Sequence, residues 1–337
     1  MSADRSDGWT ATPALLALDW GTSSLRGALL DAHGAVLDER SSADGLLSVP
    51  AGAWAARFDT LFGDWMARWP QLVCLMAGMV GSRQGWVEVP YRDCPATLGD
   101  LVAGLHWLPG GRLAIVPGLC VDHGGGSGQG LGTSPGAARV PDVMRGEETQ
   151  VFGALQLLGL RQATLLLPGT HSKWVQVHDG RVLGFRTHMT GECYALLRHQ
   201  SILAKGLPAL VAGAADEAFD APAFDDGVRQ AGQAGGLLHH LFGVRSLGLF
   251  DRATPQALAS RLSGLLIGEE LRAQAIKPGS AVVVIGNPAL ALRYERALAL
   301  HGVPVRTLGS QASWQGLVAI QAAWRRSASR DNRPHGP

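Results

Sequence analysis

Short apolar runs bounded by turn residues set the pattern of this chain. Ala14–Asp19 is apolar with one polar end, which suits a buried strand. Gly21-Thr22-Ser23-Ser24 carries turn chemistry. Leu25–Leu30 and Ala35–Leu37 read as two further strands, with Asp31–Gly34 as the hairpin turn between them. Trp54, Phe58, Leu61, Trp65 and Trp69 then recur at helical spacing until Pro70 stops the run. Leu72–Met76 reads as a strand that breaks at Gly78. Thr97–Trp107 reads as a helix, Leu113–Val116 as a strand and Val143–Leu158 as a helix.

The same order then returns. Thr164–Leu167 is a strand pattern, followed by the turn Gly169-Thr170-His171-Ser172, the run Trp174–Val177, the turn Asp179-Gly180 and the run Val182–Phe185. Met189–Leu203 has helical spacing, and Glu217–Gly236 has little periodicity. Thr254-Pro255 is a helix start, a cap residue before proline at the first helical position. Ala281–Ile285, Ala289–Leu300, Val303–Leu308 and Ser313–Trp324 alternate as strand, helix, strand and helix. Gly21, Thr22, Ser24 and Asp31 match Gly169, Thr170, Ser172 and Asp179, so one α/β unit is expected twice, each a mixed sheet flanked by helices. The expected boundaries are a flexible N-terminus over 1–12, a first domain over 13–160, a second over 161–325 and a flexible tail over 326–337.

Composition narrows the class. The 337 residues are 46% apolar and 17% charged with a net charge of +1, which excludes general disorder and argues against a nucleic-acid partner. No run of about 20 apolar residues exists, so no membrane partner is expected. The N-terminus lacks a signal-peptide pattern, which points to the cytoplasm. The four cysteines show no Cys-x-x-Cys spacing, which disfavours zinc and dithiol redox chemistry. Gly124–Pro141 is rich in Gly, Ser and Pro but has no G-x-G-x-x-G register, and reads as a flexible surface loop. No Gly-Lys-Ser/Thr occurs, which excludes a Walker-type site.

Candidate chemistry lies in the turns. A Gly-Thr turn between strands presents backbone N–H groups and hydroxyls to phosphate oxygens. Two such turns, Gly21, Thr22, Ser23, Ser24 and Gly169, Thr170, His171, Ser172, suit a polyphosphate held from both sides. Asp19 is either a turn-capping carboxylate or a ligand for Mg²⁺. Lys173, one of only three lysines, and Arg26 are cations placed to neutralise phosphoryl charge. Met144-Arg145-Gly146-Glu147-Glu148-Thr149 opens a helix; its carboxylates are either dipole partners or groups that orient Mg²⁺ or accept a hydroxyl proton. Glu192 is a second candidate base. Arg83 could fork onto a carboxylate and Trp86 could pack on a carbon chain, or both could belong to an ordinary surface loop.

Taken together, these motifs carry a resemblance. Leu18-Asp-Trp-Gly-Thr-Ser-Ser-Leu-Arg26 is similar to the first phosphate motif of the actin-like ATPase superfamily. Met76-Ala-Gly-Met-Val-Gly-Ser82, Val116-Pro-Gly-Leu-Cys120, Arg145-Gly-Glu-Glu-Thr149, Pro168-Gly-Thr-His-Ser-Lys-Trp174, Met189-Thr-Gly-Glu192 and Leu262-Ser-Gly-Leu-Leu-Ile-Gly268 resemble the 2-dehydro-3-deoxygalactonokinase family. The resemblance implies two ribonuclease-H-like domains in tandem around a central cleft that closes on substrate. It also implies ATP and Mg²⁺ as cofactors and phosphorylation of the 6-hydroxyl of 2-dehydro-3-deoxy-D-galactonate. The resemblance places adenosine at Gly286 and Asn287; together with the residue reading, catalysis is expected at Asp19, Glu147, Glu148 and Lys173, Mg²⁺ at Asp19 and Glu148, and substrate at Arg83, Trp86, Arg145 and Glu192. Three alternatives remain: a phosphohydrolase of the same fold, a kinase for another acid sugar such as the gluconate epimer, and a nucleotide-gated binding module. A homodimer is admitted by the sequence but not required.

Overall fold

The first apolar run becomes the inner strand of a sheet. Leu15–Trp20 (β1) has a strand on each edge and is buried at every position but Asp19. The computed structural model describes residues 11–123, 140–208 and 219–331. β1 pairs antiparallel with Leu25–Leu30 (β2), and β2 pairs antiparallel with Val36–Ser42 (β3). Trp54–Arg68 (α1) packs Phe58, Phe62 and Trp65 with Leu18, Trp20 and Leu25 in one core. Gly27 makes room for it, since a Cβ there would stand 2.5 Å from the Phe62 ring. Cys74–Gly78 (β4) runs parallel to β1 and is wholly buried.

Beyond β4 the chain departs from the expected pattern. Arg92–Asp93 (β5) is followed by Leu98–Ala103 (α2), His106–Trp107 (β6), Leu113–Ile115 (β7), Leu119–His123 (β8) and Val140–Met144 (β9). The helix expected over Thr97–Trp107 is therefore short: Thr97 and Asp100 cap its start and it ends at Gly104. Val143–Leu158 also splits, with 143 and 144 in β9 and the helix Glu147–Leu158 (α3) beginning after Gly146, whose φ is +106°. One sheet has the order β3-β2-β1-β4-β7-β6, and a second, smaller one has the order β5-β8-β9.

Ala163–Leu167 (β10), Ser172–His178 (β11) and Arg181–His188 (β12) follow, then the helices Thr190–Gln200 (α4), Ala221–Ala231 (α5), Gly236–Leu249 (α6) and Pro255–Gln274 (α7). Val282–Ile285 (β13), Pro288–Leu300 (α8), Val305–Leu308 (β14) and Gln311–Asp331 (α9) complete the described chain. The sheet order β12-β11-β10-β13-β14 matches β3-β2-β1-β4-β7 position for position. Helix α5 lies in the stretch read as weakly periodic, and it seats on α7 through Phe224, Val228 and Ala231 together with close glycine contacts. A Cβ at Gly264 would stand 2.1 Å from the Phe224 carbonyl oxygen, and one at Gly227 2.4 Å from that of Arg261.

The chain divides into two compact units. One holds Met1–Gln162, Val175–Phe185 and Ser310–Pro337, the other Ala163–Trp174 and Arg186–Gly309. Helix α9, expected in the second domain, thus belongs with the first unit, and it continues through Asp331 where a flexible tail was expected from 326. The expected loop over 124–141 and N-terminus over 1–12 lie almost wholly outside the described residues. Among the described residues no helix is long and apolar enough to cross a membrane.

Backbone-to-backbone packing seats α9 on α3. A Cβ at Gly153 would stand 1.8 Å from the Ala312 carbonyl oxygen, and one at Gly316 1.9 Å from that of Thr149. Alanine in an open helix interior gains about 1 kcal/mol over glycine. Here the sign reverses: Gly153→Ala is expected to cost about 3 kcal/mol or more through helix separation, measured as the shift in the urea unfolding midpoint.

Candidate active site

Asp19 closes β1, and the antiparallel register sets it directly opposite Arg26 on β2. Arg26 Nη2 donates to Asp19 Oδ2 at 2.6 Å, so the structure gives Arg26 first to Asp19. Asp19 Oδ1 has no partner among the described residues. The following turn is tied from behind. Gly21 N–H donates to the Ser24 carbonyl at 2.9 Å, and the Gly21 and Thr22 carbonyls accept from Leu46 and Leu47 at 3.0 and 3.1 Å. Gly45 permits this approach, since a Cβ there would stand 2.5 Å from the Ser23 and Ser24 nitrogens. Thr22, Ser23 and Ser24 consequently face outward and are exposed.

Glycines stack the neighbouring strand and helix ends on this strand. Trp20 pairs with Gly78 of β4. Gly78 has φ +97°, and a Cβ there would stand 2.7 Å from the Trp20 carbonyl oxygen. A Cβ at Gly146 would in turn stand 3.2 Å from Gly78 Cα. The start of α3 is thereby brought to the strand end that carries Asp19. Both glutamates there fold back on their own helix start, the dipole role. Glu147 Oε2 accepts from Arg145 N–H at 3.0 Å, and Glu148 Oε2 from Gly146 N–H at 2.7 Å. Glu148 is fully buried and its Oε1 has no partner. Burial first, and Glu147 second, push its carboxyl up to about 8.

Of the three substrate candidates in this unit, only Arg145 is built into the site. Trp86 is half-buried against the aromatic core, its ring centroid 6.0 Å from that of Phe58 and 6.3 Å from that of Trp20. The Arg83 side chain is 86% exposed and meets only Glu88, at 3.4 Å. Arg145 is buried: Nη2 donates to the Val89 carbonyl at 2.7 Å, and the guanidinium carbon lies 4.3 Å from the Tyr91 ring centroid. Sequence reasoning missed Tyr91 and Ser82, although Ser82 ends one of the family-like motifs.

The second turn is held by α4. A Cβ at Gly191 would stand 2.3 Å from the Gly169 carbonyl oxygen, and Glu192 N–H donates to the Thr170 carbonyl at 2.9 Å. This brings two predicted residues together, His171 Nε2 and Glu192 Oε2 at 2.5 Å. Ser172 corrects an expectation. It is fully buried and its hydroxyl meets Tyr294 OH at 2.9 Å, so it is turned away from any phosphate. Tyr294 OH donates to Glu270 Oε2 at 2.7 Å, Trp174 Nε1 to Glu270 Oε1 at 2.7 Å, and Thr190 Oγ1 also donates to Glu270. Burial and the Glu270 carboxylate keep the Tyr294 phenol well above its usual range. Lys173 is likewise buried, with Nζ donating to Thr187 Oγ1 at 2.8 Å.

Gly286 and Asn287 lie between β13 and α8. β13 runs parallel to β10, and a Cβ at Gly286 would stand 3.6 Å from Pro168, next to the second turn. Asn287 is exposed, and its Oδ1 caps α8 by accepting from Ala289 N–H at 2.9 Å.

The fold is a mixed α/β architecture with parallel strands ending at Gly-Thr turns. It is shared with the crystal structure of a candidate 2-dehydro-3-deoxygalactonokinase from Sinorhizobium meliloti, with a TM-score of 0.76, 34% identity and coverage of 93% of this chain and 99% of that one. The family model for 2-keto-3-deoxy-galactonokinase matches residues 19–320, and the chain belongs to this family. Relatives include a probable 2-dehydro-3-deoxygalactonokinase of Rhizobium meliloti (strain 1021), 36% identical over 91% of this chain and 97% of its own length. The 2-dehydro-3-deoxygalactonokinase of Escherichia coli (strain K12) is 31% identical over 93% of this chain and 99% of its own.

The state of Glu148 is testable through stability. With its carboxyl raised from 4.5 to about 8, the folded chain keeps a proton that the unfolded chain has released. Its favourable contribution is full below the unfolded value and is lost as pH rises toward 8. Glu148→Gln mimics the protonated acid. In calorimetry the variant should match the wild-type Tm near pH 5 and exceed it by several degrees above pH 8; a gap that does not grow with pH would show that Glu148 is ionised in the fold.

Proposed function

We propose that the protein is an ATP- and Mg²⁺-dependent kinase for the 6-hydroxyl of 2-dehydro-3-deoxy-D-galactonate. The products are 2-dehydro-3-deoxy-6-phosphogalactonate and ADP, formed in the cytoplasm in galactonate catabolism. Family membership supports this reading and disfavours the phosphohydrolase and binding-module alternatives. The observation that carries it is the meeting of Asp19, the exposed Thr22–Ser24 turn and the start of α3 at one strand end. The shared strand order supports reading the two units as ribonuclease-H-like domains of the actin-like ATPase type in tandem.

In this reading the Gly21–Ser24 turn holds phosphate oxygens through its amides and hydroxyls. Gly169, Thr170 and His171 do the same from the second turn, with Glu192 orienting the His171 ring. Gly286 and Asn287 lie beside that turn and take the adenosine. Lys173 acts from behind the turn as a fixed buried cation, and Ser172 as part of the turn's support.

The donor set fits Mg²⁺, which is commonly held by one or two carboxylates plus phosphate oxygens and water. Asp19, with Oδ1 unpartnered, would hold it, and the bound ion would neutralise charge on the phosphates. Among the described residues there is no group of three or more His, Cys, Asp or Glu side chains that could form an all-protein cage. Glu148 suits another task. Its free Oε1 and raised carboxyl value match a group that takes the proton of the 6-hydroxyl as that oxygen attacks the γ-phosphorus.

An ADP-release assay over 2-keto-3-deoxy acids, aldoses and water tests the reading. Turnover is expected with 2-dehydro-3-deoxy-D-galactonate. Turnover only with aldoses would reject the acid sugar, and release with water alone would make the protein a phosphohydrolase. Asp19→Asn is expected to lower kcat by at least about a hundredfold while the circular dichroism spectrum stays unchanged. Wild-type turnover in that variant would remove Asp19 from the mechanism.

A further inference from the structure

A buried polar atom left without a hydrogen bond costs about 1–3 kcal/mol. Ser82 Oγ and both Nε and Nη1 of Arg145 are in that condition. The fold brings the two residues to adjoining positions: a Cβ at Gly81, the residue before Ser82, would stand 2.9 Å from Arg145 Nη1. Both are at least nine-tenths buried, Ser82 at 9% and Arg145 at 8% exposure.

The guanidinium is held as if for a ligand. Its Nη2 is fixed by the Val89 carbonyl, and Val89 is itself tied by its N–H to the Gly81 carbonyl at 3.0 Å. Tyr91 lies against the guanidinium, and Gly118 leaves room for the ring, since a Cβ there would stand 2.7 Å from Tyr91 Cε1. No carboxylate forms an ion pair with Arg145 among the described residues. A buried cation with no anion is unfavourable, whereas one arginine and one hydroxyl match a monoanion.

We propose that Arg145 and Ser82 form the receptor for the C1 carboxylate of the acid-sugar substrate, with Arg145 as the fixed cation and Ser82 as a neutral donor. The assignment rests on the acid-sugar kinase reading and moves carboxylate recognition from the exposed Arg83 to a buried site. It makes selectivity for acids over neutral sugars a property of this pair.

The test compares wild type, Ser82→Ala, Arg145→Lys and Arg145→Met. Steady-state kinetics is run with ATP, and calorimetric binding without it, using 2-dehydro-3-deoxy-D-galactonate and its neutral C1-reduced analogue. Arg145→Met should weaken the acid by about a hundredfold or more and Ser82→Ala by about tenfold, with KM for ATP within twofold. Arg145→Lys should restore part of the loss, and the neutral analogue should be indifferent to every change. Equal losses for acid and analogue, or a rise in KM for ATP in place of that for the acid, would overturn the assignment. Ser82→Ala keeps the test decisive should the arginine variants fold poorly, because the Ser82 hydroxyl bonds nothing in the fold. A wild type that binds the acid in an Arg145-dependent way but transfers no phosphoryl group would refute the kinase reading alone. Turnover indifferent to both residues would refute this assignment alone.

Discussion

Three backbone segments meet in the first unit with no side chain between them: Trp20 at the end of β1, Gly78 at the end of β4 and Gly146 before α3. Both glycines sit at positive φ, and a Cβ at Gly78 would collide with the Trp20 carbonyl. Neither position tolerates an L side chain without moving the sheet end or the helix. This contact decides how far α3 advances. Because the helix starts against the strand ends, Glu148 is drawn out of water and Arg145 is carried under the segment 81–91. The raised Glu148 carboxyl and the guanidinium with Nε and Nη1 unsatisfied both follow from one glycine-on-glycine approach.

One buried carboxylate of the second unit, Glu270, is treated in the opposite way. Glu270 receives hydrogen bonds from Trp174, Tyr294 and Thr190, and Ser172 joins through Tyr294. A fully connected network of this kind fixes geometry, because any one missing partner leaves a buried carboxylate short of donors. It joins β11, α4, α7 and α8, and thereby fixes the strand that follows the Gly169–His171 turn. The turn itself needs no special side chain at its exposed tip, since its position is set from beneath.

This contrast explains which residues the sequence revealed. Strands β1, β4, β10 and β13 were legible because each is an unbroken apolar run ending at turn residues. Helix α7 was legible from Thr254-Pro255, and Thr254 Oγ1 does accept from Ala257 N–H. The β5-β8-β9 sheet was not, because β5 has two residues and its partners are separated in sequence. Helix α9 was legible as a helix from Ser313–Trp324 but was assigned to the second domain, because its packing on α3 runs through Gly153 and Gly316, which carry no apolar signal; α5 was missed because its stripe is only Phe224, Val228 and Ala231 in a run rich in Gly, Ala and Asp. Asp19, the two Gly-Thr turns and the glutamate pair stood out by residue type. The inward turn of Ser172 and Lys173 did not, because β11 is buried on both faces and loses the alternation that separates inside from outside. Trp86 lies half-buried against an aromatic core, which a tryptophan in a Gly-rich loop does not by itself reveal.

The start of α3 carries a local conflict that stability alone would not retain. A helix N-terminus favours negative charge, yet Arg145 stands just before it, buried and without a carboxylate. Glu147 and Glu148 both turn back to backbone N–H groups at the helix start, and neither forms an ion pair with the Arg145 guanidinium. Replacing Arg145 by an apolar residue of similar size would relieve the unpaired charge and cost only the Val89 and Tyr91 contacts. Replacing Glu148 by glutamine would relieve the carboxyl. With Ser82, which also lacks a partner, these residues concentrate uncompensated polarity at one point of the first unit. Such concentrations mark places where folding is traded for function. The physical demand they make is for a negatively charged group that can also accept a hydrogen bond from a neutral hydroxyl.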